Sequence, residues 1–310
     1  NDPLITAEVA ALAIIDNHLR SGECFCCIVE PMQSEGGDRY ATPRFFRALR
    51  ALTSHHGIPL IFDEVQTGFG LGTSFFWHTR FRLETPPDAV TVAKRAQVGV
   101  VLSRYPDPEP TSAHGASLVR GMIHARMMLN HPEEAVRVQA QVWPRLLAIT
   151  KKFPELARAP RASGFAFAFD MPDAQVRNWF VAQRFYRGVV VFGAGPNTVR
   201  YRLGNCYGPK ELTLVFDAIE SSLLWLRENP GQAPPAWIQS PPRASAPRSD
   251  RTVHIREADP SEVDTVLAQI LALEKEVYEP ARRDPVHRLR MGFEPDGIAL
   301  LALDENEALL

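Results

Sequence analysis

Apolar residues recur at helical spacing over 5–20 and 43–56, and in short, nearly unbroken runs at 24–30, 58–62, 89–93 and 98–103. The first pattern predicts amphipathic helices and the second predicts strands buried on both faces. Thr42-Pro43 opens the second helix with proline in its first turn, and Gly57 stops it. Strand and helix alternate with no tight hairpin signal between them, which predicts a parallel α/β sheet. Ligands of such sheets sit beyond the carboxyl ends of the strands. Glu30, Asp63 and Lys94 all fall at such ends.

Further along, 115–130 and 132–152 read as helices split by Asn130-His131-Pro132. The texture then changes. Strands at 165–170, 189–192 and 199–203, with helices at 173–187 and 210–227, predict a compact α+β unit. Residues 229–250 hold six of the chain's 26 prolines and read as a semi-stiff linker. After it come a predicted strand at 253–256, helices at 260–279 and 284–291, and a strand at 298–303. This tail carries 7 basic and 13 acidic residues from position 251 on, and stands apart in composition. The expected organisation is therefore 1–152, 153–228, a linker at 229–250, and 251–310.

Composition narrows the function classes. The 310 residues are 45% apolar and 23% charged with a formal net charge of −2, the profile of a globular protein with no basic field for nucleic acid. No apolar run approaches the ~20 residues of a membrane span. The opening Asn-Asp-Pro-Leu has neither an initiator Met nor a leader and reads as the middle of a gene. Cys24, Cys26 and Cys27 crowd one strand, too close for a disulfide framework or paired zinc ligands, so a reducing, cytoplasmic location and no metal are expected.

Lysine is scarce: Lys94, Lys151, Lys152, Lys210 and Lys275 are the only five. Pyridoxal 5'-phosphate needs a lysine amine for its aldehyde and a carboxylate to keep its ring nitrogen protonated. Lys94 ends one buried strand, where apolar neighbours would disfavour the ammonium form, and Asp63 ends another. The other lysines lie at helix ends or on the tail helix.

Three blocks carry a resemblance. They are Ile-Val-Glu-Pro-Met-Gln-Ser-Glu-Gly-Gly-Asp at 28–38, Leu-Ile-Phe-Asp-Glu-Val-Gln-Thr-Gly-Phe-Gly at 60–70, and Pro-Asp-Ala-Val-Thr-Val-Ala-Lys at 87–94. In this order they resemble the class III aminotransferases of fold type I, over roughly residues 1–228. The first block resembles the 4-aminobutyrate branch, and Lys-Arg-Ala-Gln-Val-Gly at 94–99 resembles lysine 6-aminotransferases.

The resemblance implies a partial fold type I large domain, an α+β small domain, pyridoxal 5'-phosphate and a homodimer. It implies transfer of an ω-amino group from a donor such as lysine, ornithine or 4-aminobutyrate to 2-oxoglutarate. Lys94 matches the lysine that holds the cofactor, Asp63 its ring-nitrogen partner, and Gln66 the side chain near its 3'-oxygen. Glu30 matches the acid of the Glu-Pro-x-Gln turn near the active site. Arg200 matches the substrate-carboxylate arginine and Glu35 the glutamate that masks it for ω-amine donors. Strand alternation puts Arg202 on the same face as Arg200, which leaves open which of them faces substrate.

The family's phosphate cup has no counterpart here, and the threonine that reaches a neighbouring subunit's phosphate is not assigned among Thr111, Ser112 and Ala113. Little activity is accordingly expected of 1–310 alone. The tail from Val253 resembles the opening of a Gcn5-type N-acetyltransferase. Alternative readings are a non-catalytic scaffold for that tail, or a decarboxylase or racemase of the same fold.

Overall fold

The computed structural model describes residues 2–106, 115–239, 254–257 and 300–303. The chain divides into two units, Asn1–Pro242 and Arg243–Leu310.

In the first unit, helix α1 (Pro3–Arg20) begins where Asp2 Oδ1 accepts from the Leu4 N–H at 2.9 Å. Strand β1 (Cys27–Val29) leads into a hairpin, β2 (Met32–Gln33) and β3 (Arg39–Tyr40), and then into α2 (Pro43–His55). Thr42 caps α2 by accepting from Phe45 N–H at 3.1 Å, and the chain leaves at Gly57 with φ +67°. Phe46, Leu49, Arg50 and Thr53 of α2 are buried, the i, i+3, i+4, i+7 stripe of a helix lying on a core.

Strands β4 (Leu60–Asp63), β5 (Ala89–Val92) and β6 (Val100–Ser103) complete a sheet of order β1-β4-β5-β6. Pairs β1–β4 and β4–β5 are parallel, as predicted. β6 is antiparallel to β5, which corrects the all-parallel expectation. Residues 93–99 are too few for the crossover that a parallel return requires. A second correction concerns β1. The run 24–30 is not buried on both faces; β1 edges the described sheet, with Phe25 90% and Ile28 60% exposed.

Helices α3 (Gly115–Asn130) and α4 (Glu133–Lys152) follow. Ala135, Val138, Val142, Leu146 and Ile149 form the buried stripe of α4, while Pro144 sits on its exposed side. The second sheet is antiparallel, ordered β7-β8-β10-β9: β7 (Arg158–Ser163), β8 (Ala166–Asp170), β9 (Phe192–Ala194) and β10 (Thr198–Arg202). α5 (Ala174–Ala182) lies between β8 and β9 and ends earlier than predicted. β9 starts three residues later than expected, and β7 is a strand that the apolar pattern did not announce. α6 (Pro209–Glu228) packs Leu212, Phe216, Ile219 and Leu223 inward.

β8 and β10 explain how this sheet serves two purposes. Directly opposed residues of an antiparallel pair share a face. Phe167 and Phe169 therefore pair with Tyr201 and Val199 on the core face, where Phe167 stacks on Tyr201 at 4.6 Å. Ala166 and Ala168 lie opposite Arg202 and Arg200 on the other face. The small alanines leave room there for two guanidinium groups.

Gly164, at the β7–β8 turn, has φ +60° and approaches the 71–72 backbone so closely that a Cβ would collide with Leu71 O and lie 2.6 Å from Gly72 C. Gly164→Ala should therefore lower stability by more than the ~1–2 kcal/mol of a left-handed alanine alone, read as the shift in chemical-denaturation midpoint.

Beyond α6, the first part of the predicted linker is not free chain. A short helix, α7 (Ala236–Gln239), buries Ile238 and sets Trp237 5.3 Å from the Tyr186 ring. In the second unit β11 (His254–Glu257) pairs antiparallel with β12 (Leu300–Leu303). The helices predicted at 260–279 and 284–291 lie outside the described residues. Among the described residues, no helix is long and apolar enough to cross a membrane.

Candidate active site

β4 and β5 run side by side in parallel, with Asp63 and Thr91 as register partners. Asp63 is the last residue of β4, and Lys94 lies two residues beyond the end of β5. The carboxylate and the amine thus share the carboxyl-terminal rim of one sheet. Asp63 Oδ1 accepts from Val65 N–H at 3.0 Å and from the Thr91 hydroxyl at 3.3 Å, which fixes the carboxylate on that rim. Its neighbour Glu64 points into the protein. It is fully buried and accepts from Trp77 N–H at 2.7 Å and His78 N–H at 2.8 Å, with His78 Nδ1 at 2.6 Å. Of the Asp-Glu pair, one side chain is left for chemistry and the other anchors the 77–81 turn.

Lys94 takes φ +47°, a left-handed conformation that costs a non-glycine residue ~1–2 kcal/mol. The next residue holds the turn in place. Arg95 Nε donates to Phe69 O at 3.2 Å, and its guanidinium lies 5.1 Å from the Phe165 ring centre. Burial brings the Arg95 pKa down to about 10. Lys94 itself is exposed, correcting the expectation of an amine enclosed by apolar neighbours. The strand ends before it, and the left-handed turn leaves its side chain at the surface.

The face of β10 that carries Arg200 and Arg202 meets the 34–38 loop. Ser34 N–H donates to Glu30 Oε2 at 3.1 Å, so the role visible for Glu30 is to shape this loop. Gly195 N–H donates to Glu35 O at 2.7 Å, and Arg161 donates to Gly37 O and Asp38 O. The two arginines behave differently. Arg202 forks onto fully buried Asp38 at 2.7 and 2.6 Å and donates from Nε to Gln66 Oε1 at 3.0 Å. Arg200 is 7% exposed and bonds the carboxylate of Glu35, whose side chain is 68% exposed. Arg200 Nε and Nη1 are buried with no hydrogen-bond partner among the described residues. The hydrogen bond from Arg200 holds the Glu35 carboxyl below its usual range against the opposing effect of burial, and the charges of Arg200, Lys94 and Arg202 add to it. The sequence left Arg200 and Arg202 equivalent. The structure separates them through Asp38, a residue to which no role had been assigned.

The donor set fits a pyridoxal ring: a primary amine, an anchored carboxylate and an amide stand on adjacent strand ends, with an under-satisfied arginine beside them. Thr111 and Ser112 lie outside the described residues. No cluster of potential metal ligands occurs among the described residues.

Known proteins resemble this chain over the stretch that bears the site. Residues 4–109 match the family model for class-III aminotransferases. The chain is 33% identical to an L-lysine-epsilon aminotransferase of Mycobacterium tuberculosis over 236 residues, covering 71% of this chain and 52% of that protein. It is 32% identical to a 4-aminobutyrate aminotransferase of Emericella nidulans over 206 residues, covering 62% and 41%. The solved lysine aminotransferase of M. tuberculosis superposes with a TM-score of 0.66 at 29% identity, over 73% of this chain and 56% of that one. The chain spans about half the length of the curated relatives it matches. The blocks that carry Glu35, Asp63 and Lys94 thus lie in the stretch that matches the class-III aminotransferases, a family whose cofactor is pyridoxal 5'-phosphate.

Proposed function

We propose that the protein moves an ω-amino group from a donor such as lysine, ornithine or 4-aminobutyrate to 2-oxoglutarate, with Lys94 as the residue that holds pyridoxal 5'-phosphate. The observation that carries this reading is the Arg200–Glu35 pair: a buried guanidinium with two nitrogens that have no hydrogen-bond partner among the described residues, capped by an exposed carboxylate. The lysine and 4-aminobutyrate aminotransferases among its relatives favour an ω-amine donor.

When bound, the cofactor supplies an electron sink for the carbon that loses its amine. The chain's own residues do the rest. Lys94 Nζ binds the cofactor and carries the proton to and from the reacting carbon. Asp63, held by Val65 N–H and Thr91, keeps the ring nitrogen protonated. Arg200 receives a carboxylate with its planar fork. With Glu35 on it, the arginine is neutralised, which suits a substrate end bearing no carboxylate. With Glu35 displaced into solvent, it meets the carboxylate that 2-oxoglutarate carries next to its keto carbon. An exposed carboxylate can make that exchange at little desolvation cost.

Self-association belongs to the same proposal. α3 leaves Leu118, Met122, Ile123 and Leu129 exposed, and a second copy would cover such a face.

A panel of ω-amines with 2-oxoglutarate tests the reading in the full-length protein; no glutamate from any donor would reject it. Arg200→Lys should raise KM for 2-oxoglutarate roughly tenfold or more, since a point charge replaces a bidentate grip. KM for the ω-amine donor, which sets no carboxylate against Arg200, should change far less.

A further inference from the structure

We infer that Arg202 is a positioning residue that fixes the amide of Gln66, so that Gln66 offers N–H donors rather than its carbonyl to the 3'-oxygen of pyridoxal phosphate; this rests on the functional reading above. A guanidinium only donates. Nη1 and Nη2 of Arg202 are committed to Asp38 Oδ2 and Oδ1, Nη1 also donates to Tyr201 O at 3.0 Å, and Nε donates to Gln66 Oε1 at 3.0 Å. Asp38 is completely buried, so the fork is dry and geometrically stiff.

An amide has one accepting end and one donating end. Turning Gln66 over would set its NH2 against the N–H of Arg202 and lose the bond. The orientation of the amide is therefore decided by its partner. Nε2 is directed away from Arg202, and its two hydrogens are the groups left for an incoming acceptor. The ring 3'-oxygen of pyridoxal carries negative charge when ionised, and a donor suits it.

The three members of this chain come from three places in the sequence: the 34–38 loop, the loop after β4, and β10. The same arrangement removes Arg202 from competition for a substrate carboxylate, because its fork is already filled.

The test measures affinity for pyridoxal 5'-phosphate and thermal midpoint in the full-length protein. Gln66→Glu is the discriminating variant. It keeps an acceptor for Arg202 Nε, so the midpoint should hold or rise, but it has no donor for the 3'-oxygen. Cofactor affinity should fall at least about tenfold. Arg202→Lys keeps a cation opposite Asp38 but cannot fork onto it and reach Gln66 together. It should weaken cofactor binding several-fold, and adding it to Gln66→Leu should cost nothing further. Arg202→Lys with unchanged cofactor affinity, or a loss that adds in full to that of Gln66→Leu, would overturn the inference while the functional reading stands. Wild-type protein that binds no pyridoxal 5'-phosphate would overturn both.

Discussion

Lys94→Ala should abolish covalent retention of pyridoxal 5'-phosphate. Borohydride reduction followed by digestion should place a pyridoxyl group on the Lys94 peptide of the wild-type protein and on no peptide of the variant. Turnover should fall by at least about 10²–10⁴-fold from the lost proton transfer alone. The expectation is specific because the alternatives are few. Lys152 is paired with Glu220, Lys151 ends the same helix, and Lys210 opens α6. Among the described lysines, only Lys94 stands on the strand rim that also carries Asp63. A pyridoxyl group recovered on another lysine would remove the assignment. A wild-type protein that never takes up the cofactor would favour a non-catalytic role for the domain.

Arg50→Leu should be the most damaging substitution outside the rim. Arg50 and Asp88 form a buried pair at 2.5 Å, and Asp88 also accepts from Leu60 N–H at 2.8 Å. Breaking the pair from one side leaves the buried carboxylate with the Leu60 N–H and the exposed Arg104, 2.8 Å away, as its remaining partners, which costs up to roughly 3–5 kcal/mol. At about 2–4 °C per kcal/mol for a unit of this size, the melting midpoint should drop by up to about 6–20 °C. Removing both charges with Arg50→Leu and Asp88→Leu should recover much of the loss.

The pair also has a pH signature. Burial raises the Asp88 carboxyl, but the Leu60 N–H bond and the charges of Arg50 and Arg104 outweigh it and leave the pKa below its ordinary value. A depressed folded-state pKa contributes stability that is complete above the unfolded value near 3.9 and lost as pH falls through the lower, folded one. Acid unfolding of the wild type should therefore steepen below about pH 4, and Asp88→Asn should flatten it. Asp88 immediately precedes β5 and pins it to β4, so the same variants should loosen the register that sets Lys94 beside Asp63.

The strand-end chemistry was legible in the sequence because buried strands announce themselves as apolar runs, and a charged residue that stops such a run sits on the rim. What was hidden depended on partners far away in the chain. β7 (Arg-Ala-Pro-Arg-Ala-Ser) has no apolar alternation, contains a proline and breaks register between Arg158 and Arg161. It is a strand only because β8 lies next to it. The direction of β6 was set by the length of its connection rather than by its own residues. Arg200 and Arg202 have the same chemistry and the same face. What distinguishes them is Asp38, buried in a loop held by Arg161 and a left-handed turn at φ +50°. Glu64 adjoins Asp63 in sequence yet serves the core, because successive residues leave a strand in opposite directions.

The 34–38 loop is bound to β7, the β9–β10 turn and β10 through Arg161, Gly195 and Arg202. Glu35 and Arg200 are therefore passengers on one platform. Trading donor for acceptor asks for the swing of a single side chain and leaves the backbone that bears it where it stands. Amide exchange at 34–38 should accordingly be the same whichever substrate is present.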